Sequence, residues 1–122
     1  MTIKILETTL AERIKRRILT AWHDGHGGNA DQIHLLLGEE GLSLMIPEAL
    51  YQAEVVISRN PAGGTRLLDQ YLHTLLSTVA AEHVALIEEC TQQTVKEVIP
   101  LIDLRAGWIT IFYRFKKKSI DS

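Results

Sequence analysis

IHLLLGEEGLSLMI, residues 33–46, decides the fold. Ile33, Leu35 and Leu37 fall on one side of an extended chain, and His34 and Leu36 on the other. Gly38-Glu39-Glu40-Gly41 makes a turn, after which Leu42, Leu44 and Ile46 alternate with Ser43 and Met45. Two apolar strands joined this tightly must pair antiparallel. Val95 to Phe115 repeats the plan. Val95, Ile99 and Leu101 are expected on one face of its first strand, with Val98, Ile102 and Leu104 on the other. Pro100 cannot donate to a ladder, so this strand is an edge or carries a bulge. Arg105-Ala106-Gly107 is the second turn. Ile109, Ile111, Tyr113 and Phe115 then share one side, and Trp108, Thr110, Phe112 and Arg114 the other.

Helical patterns frame the two hairpins. The first runs from Thr8 to about Trp22, capped by Thr8 or Thr9, with Leu10, Ile14, Ile18 and Trp22 in one stripe. His23-Asp24-Gly25-His26-Gly27-Gly28-Asn29 should break it, its glycines supplying positive φ angles. Pro47-Glu48 reads as the first turn of a short helix holding Leu50, Ala53, Val56 and Ile57 and stopping at Asn60-Pro61. Ala62-Gly63-Gly64 is a hinge, and Thr65 the expected N-cap of a long helix to Cys90. Leu68, Leu72, Leu75, Val79, Val84 and Ile87 give that helix its stripe. At about 1.5 Å per residue it would reach roughly 39 Å. The expected order is α-β-β-α-α-β-β. This is an α/β (α+β) fold with two hairpins in an antiparallel or mixed sheet packed on a long helix.

The chain has 122 residues, which fits one domain over 1–122, with 1–7 and 116–122 as flexible ends. A chain of this size needs no disulfide or metal staple. Its single Cys90 follows Glu88 and Glu89, which should raise the thiol pKa. Met1 to Leu6 is too short for a signal h-region, and one cysteine favours a reducing, cytoplasmic setting. No apolar run approaches the roughly 20 residues that span a bilayer, so membrane insertion is not expected. The formal net charge is -2, so nucleic acid is not an expected partner. Arg13, Lys15, Arg16 and Arg17, and Lys116 to Lys118, read as a solvated helix face and a solubilising tail, or as a contact for an acidic partner or a phosphate surface.

One sheet face is wholly apolar and must meet helices. The other carries His34, Leu36, Met45, Trp108, Phe112 and Arg114. Large apolar groups in such number mark a partner surface or a homodimer interface, unless the chain's own helices cover both faces. Trp108 is either the anchor of that surface or an ordinary core tryptophan.

Candidates for chemistry are few. His23, Asp24 and His26 could hold a divalent ion on a flexible loop, but a site needs three or four ligands and no second cluster supplies the rest. No metal or cofactor is expected. The Gly-rich loop follows a helix and precedes a strand, the reverse of a phosphate-cradling loop. His73 lies four residues after Asp69, a spacing that suits a surface ion pair. Ser43, Ser58 and Ser77 have no nucleophile-elbow context. An enzyme is not expected.

Across most of its length the chain resembles the small DUF2294 proteins, also called the MpsC family. The features that carry the likeness are Gly25 to Gly28 before the first strand, Gly41-Leu42-Ser43-Leu44, and Pro47 to Glu54 leading through Gly64 into the long helix. Leu86-Ile87-Glu88-Glu89 with Thr91, then Val95 and Asp103, complete them. The chain departs from the family at Gly28-Asn29, where a Gly-Pro is usual, near Tyr71, where an Arg is frequent, and at Thr91-Gln92, where Thr-Gly is common. The resemblance implies a small soluble α/β protein linked to sodium-translocating systems that bear on bicarbonate supply, and no catalytic residue. The expectation is a non-enzymatic adaptor, assembly chaperone or accessory factor. It would be homodimeric and bind a protein partner or peptide segment. The alternative is a cytosolic regulatory sensor of a sodium- or bicarbonate-transport system.

Overall fold

Strand pairing assembles the two hairpins into one sheet. The computed structural model describes residues 7–28, 30–59 and 65–117. The elements are α1 (Thr8–His26), β1 (His34–Leu37), β2 (Gly41–Ile46), α2 (Gln52–Ser58), α3 (Thr65–Glu82), α4 (Val84–Thr91), β3 (Val95–Asp103) and β4 (Trp108–Phe115). The sheet order is β1-β2-β4-β3, antiparallel throughout. The fold is mixed α+β, and the expected succession of helices and strands holds. The expected stop at Asn60-Pro61, the hinge at Ala62-Gly63-Gly64 and most of the two ends lie outside the described residues. Lys116, expected in a flexible end, is tied to the sheet, its N–H donating to the Thr94 carbonyl at 2.7 Å.

On one face Leu42, Leu44, Ile46, Ile109, Ile111, Tyr113 and Phe115 are buried. They form a single core with Ile14, Ile18 and Trp22 of α1, Leu72 and Leu76 of α3, and Ile87 of α4. The result is two layers, a sheet and its helices, with the core between them.

Local readings in α1, α2, the long helix and β3 need correction. The α1 helix runs a full turn beyond Trp22, because Gly25 is helical. A Cβ at Gly25 would lie 2.8 Å from Leu75 Cδ1, so this glycine permits α1 to approach α3 closely. Positive φ begins only at Gly27 and Gly28, and the Gly27 N–H closes the helix on the His23 carbonyl at 2.8 Å. At the other end Glu7 occupies the cap position with no side-chain cap, while Thr8 and Thr9 lie inside the helix.

Pro47-Glu48 does not start α2. Glu48 sits at φ +52, a turn conformation, and the Ala49 and Leu50 N–H groups donate to the Gly107 carbonyl at 2.8 and 3.3 Å. The helix begins at Gln52, where Glu54 Oε1 accepts the Tyr51 N–H at 2.7 Å and supplies the missing cap.

The long helix breaks at His83 (φ -110°, ψ 8°) into α3 and α4. Side chains take the carbonyls there. His83 Nδ1–H donates to the Val79 carbonyl at 2.7 Å and the Tyr113 hydroxyl to the Ala80 carbonyl at 2.8 Å. The His83 backbone N–H turns to Ala80 at 3.3 Å, an i−3 bond. Apolar periodicity passes through such a break unaltered. Thr65, the expected cap, is the first helical residue, and its hydroxyl donates to the Ile57 carbonyl at 3.3 Å.

In β3 the register shifts between Val95 and Glu97. Val95 therefore packs on the core side with Val98 and Ile102, while Ile99 and Leu101 take the opposite face. Pro100 is accommodated because β3 is an edge strand; the bulge lies elsewhere along it.

Candidate functional site

The outer face of the sheet is the most distinctive surface of the molecule. Alternation, interrupted in β3 only between Val95 and Glu97, brings every second residue of the four strands to it. Leu36, Ser43, Phe112 and Ile99 form one row across β1, β2, β4 and β3. His34, Met45, Thr110 and Leu101 form the next. Gly41, Arg114 and Glu97 close one end of the face, and Trp108 beside Asp103 closes the other. All six expected docking residues, Leu36, Met45, Trp108, Phe112, His34 and Arg114, thus share this face.

Leu36 is 74% exposed, Leu101 56% and Trp108 40%, while Met45, Phe112 and Ile99 are half-buried among their neighbours. None of the six belongs to the core cluster or packs against it. Among the described residues, no element of the chain encloses this face. Trp22 is the core tryptophan, fully buried with its indole N–H donating to the Ala49 carbonyl at 3.0 Å. Trp108 is not.

The face is nearly free of unmatched charge. Arg114 pairs with Glu97 at 3.5 Å across the β3–β4 ladder. Asp103 accepts the N–H groups of Arg105 and Ala106 at 3.1 Å each and so serves its own turn. The Phe112 ring folds over Gly41, where a Cβ would run into that ring. Ile99 and Leu101 were not expected here. Their alternation from Val95 points inward, and only the bulge reverses it; the edge position implied by Pro100 gives no warning of that.

The His23-Asp24-His26 segment is built differently from a metal site. His26 is stacked between Trp22 and Tyr51, each ring centroid 4.7 Å away. Its Nε2–H donates to Glu54 Oε1 at 2.8 Å. The Tyr51 hydroxyl accepts the Gly28 N–H at 2.8 Å and donates to the His26 carbonyl at 3.3 Å. His23 Nε2 turns away to the Ala30 carbonyl, and Asp24 is exposed. The three candidates do not converge. Among the described residues no group of three or more metal-ligating side chains comes together. The assembly instead clasps the end of α1 to the start of α2.

Other polar candidates also serve structure. His73 faces the Ser77 hydroxyl at 3.4 Å rather than Asp69. Arg13 pairs with Glu89 at 3.6 Å and Lys15 with Glu12 at 3.0 Å, which neutralises half of the cationic run on α1. Burial is the main cause that pushes the Cys90 thiol up, Arg13 opposes it, and Glu89 adds to it. Glu88, expected to share in that effect, accepts the Val95 N–H at 2.8 Å. No described helix is long and apolar enough to cross a membrane. Comparison with protein-family models, curated proteins and solved structures gives no significant match.

Proposed function

We propose that this chain is a non-enzymatic protein-binding module, an adaptor or accessory factor of the cytoplasm, whose open sheet face docks a protein surface. One observation carries the reading: a four-stranded sheet presents Leu36, Met45, Ile99, Leu101, Trp108 and Phe112 on the side that the described helices leave uncovered. Complete burial of one such side chain is worth about 1.5–3 kcal/mol. Six together can support a specific interface once the cost of association is met. The roles of the buried histidines support binding over catalysis. His26 is committed to Glu54 and its two ring neighbours, and His83 to the helix break.

The test is the size of the assembly in the source cell. A tagged wild-type chain should migrate above its monomer mass on native gels. Leu36→Glu with Leu101→Glu should bring it down to the monomer with an unchanged circular dichroism spectrum. A wild-type chain that already migrates as a monomer would remove the proposal.

A further inference from the structure

We propose that the occupant of the open face is a second copy of this chain. The two sheets would lie face to face about a two-fold axis that runs parallel to the strands, midway between β2 and β4. The inference rests on the docking-face reading and names its partner.

The argument is the pairing of sizes across the central strands. Each of the two middle outward rows sets one small residue beside one large one there. Ser43 faces Phe112, and Thr110 faces Met45. A two-fold axis parallel to the strands exchanges β2 with β4 and β1 with β3. It therefore lays Phe112 on the second copy's Ser43 and Met45 on its Thr110. Leu36 meets the second copy's Ile99, and each such contact occurs twice, as an isologous interface requires. Sheets packed in this way lie about 10 Å apart with strands within about 30° of alignment, a spacing that interdigitating large and small side chains fill.

The other two-fold arrangement, with the axis across the strands, lays each strand on its own counterpart with the ends exchanged. It brings Glu97 over the second copy's Asp103, two carboxylates. Like charges placed together oppose association. The parallel axis avoids this. Charge also favours a copy over a charged stranger. Arg114 and Glu97 already neutralise each other, and Asp103 is engaged in its turn. The face offers an acidic partner no unpaired Lys or Arg, and a basic partner only the single carboxylate of Asp103 at one end.

Three variants and the purified full chain test this. Sedimentation equilibrium of the wild type should give twice the 13.7 kDa chain mass. Ser43→Trp fills the socket for Phe112 and should halve that mass while the circular dichroism spectrum and Tm are kept. Ser43→Ala should leave it doubled. In a Cys90→Ala background, Leu36→Cys with Ile99→Cys should give a covalent dimer with a short bismaleimide, whereas either single cysteine should not. That cross-link decides the matter if Ser43→Trp fails to fold. A chain that sediments at the monomer mass at high concentration, or a doubled mass that survives Ser43→Trp in a folded protein, overturns the second copy. If the purified chain is monomeric but the native assembly still collapses on Leu36→Glu with Leu101→Glu, the docking face stands with a different occupant. If neither associates, both readings fall.

Discussion

The two faces of one sheet make the central comparison of this molecule. The same strands supply both. On the inner face Leu42, Leu44, Ile46, Ile109, Ile111, Tyr113 and Phe115 are buried under α1, α3 and α4. On the outer face residues nearly as apolar remain in contact with solvent. The inner face is explained by the chain alone, since its helices bring matching stripes. The outer face is not. Solvated sheet faces ordinarily alternate to polar residues, and this one does so only at His34, Ser43, Thr110 and its charged ends. The difference separates what folds the chain from what the folded chain presents.

The contrast should be sharpest in stability. Ile111→Ala on the inner face should cost about 2–5 kcal/mol by urea unfolding, the range for a large-to-small change in a core. Leu36→Ala on the outer face should change the stability of the monomer by less than about 0.5 kcal/mol, as at an open surface. Equal losses at a concentration that keeps the chain monomeric would mean that the outer face is packed within the monomer.

Tyr113→Phe is a smaller break, confined to one polar contact under the inner face. It removes the hydroxyl that holds the Ala80 carbonyl at the helix break. The loss should be about 1 kcal/mol, the typical net worth of one hydrogen bond, since Ala80 keeps its His83 N–H. Hydrogen exchange should quicken first in α4.

The same tyrosine and Cys90 give a finer test through pH. Burial pushes both groups up from their ordinary values of 10.0 and 9.0. The folded chain therefore holds these protons at pH values where the unfolded chain has released them. The stabilisation is complete below about pH 9 and is lost as pH rises. The fall above pH 10 should be shallower in Tyr113→Phe; an identical slope would show that this hydroxyl is not responsible. Cys90 alkylation at pH 8 should be slower in the folded chain than in urea, and no outer-face substitution should alter it.

Much of this architecture was legible in the residues because period-two alternation is read directly from residue order. The four strands, their hairpin pairing and the six outer-face residues all follow from it. What escaped has local physical causes. A bulge moves Val95 to the opposite face from Ile99 without changing composition. Two side chains that reach helix carbonyls break α3 from α4 at His83, where the apolar stripe continues. Gly25 looks like a helix breaker and is instead a point of close approach. The strand order, with β2 beside β4, depends on contacts between distant segments that no single stretch encodes. In the loop after α1, residue type suggested metal ligands, while stacking on Trp22 and Tyr51 and the bond to Glu54 commit His26 to structure.

Hydroxyl-radical footprinting of the purified chain, compared at low and high concentration, addresses the main claim most directly. Protection of Leu36, Met45, Phe112 and Trp108 should grow with concentration, while the core Trp22 stays protected at both. Oxidation of those four side chains that is the same at every concentration would contradict self-association through the open face.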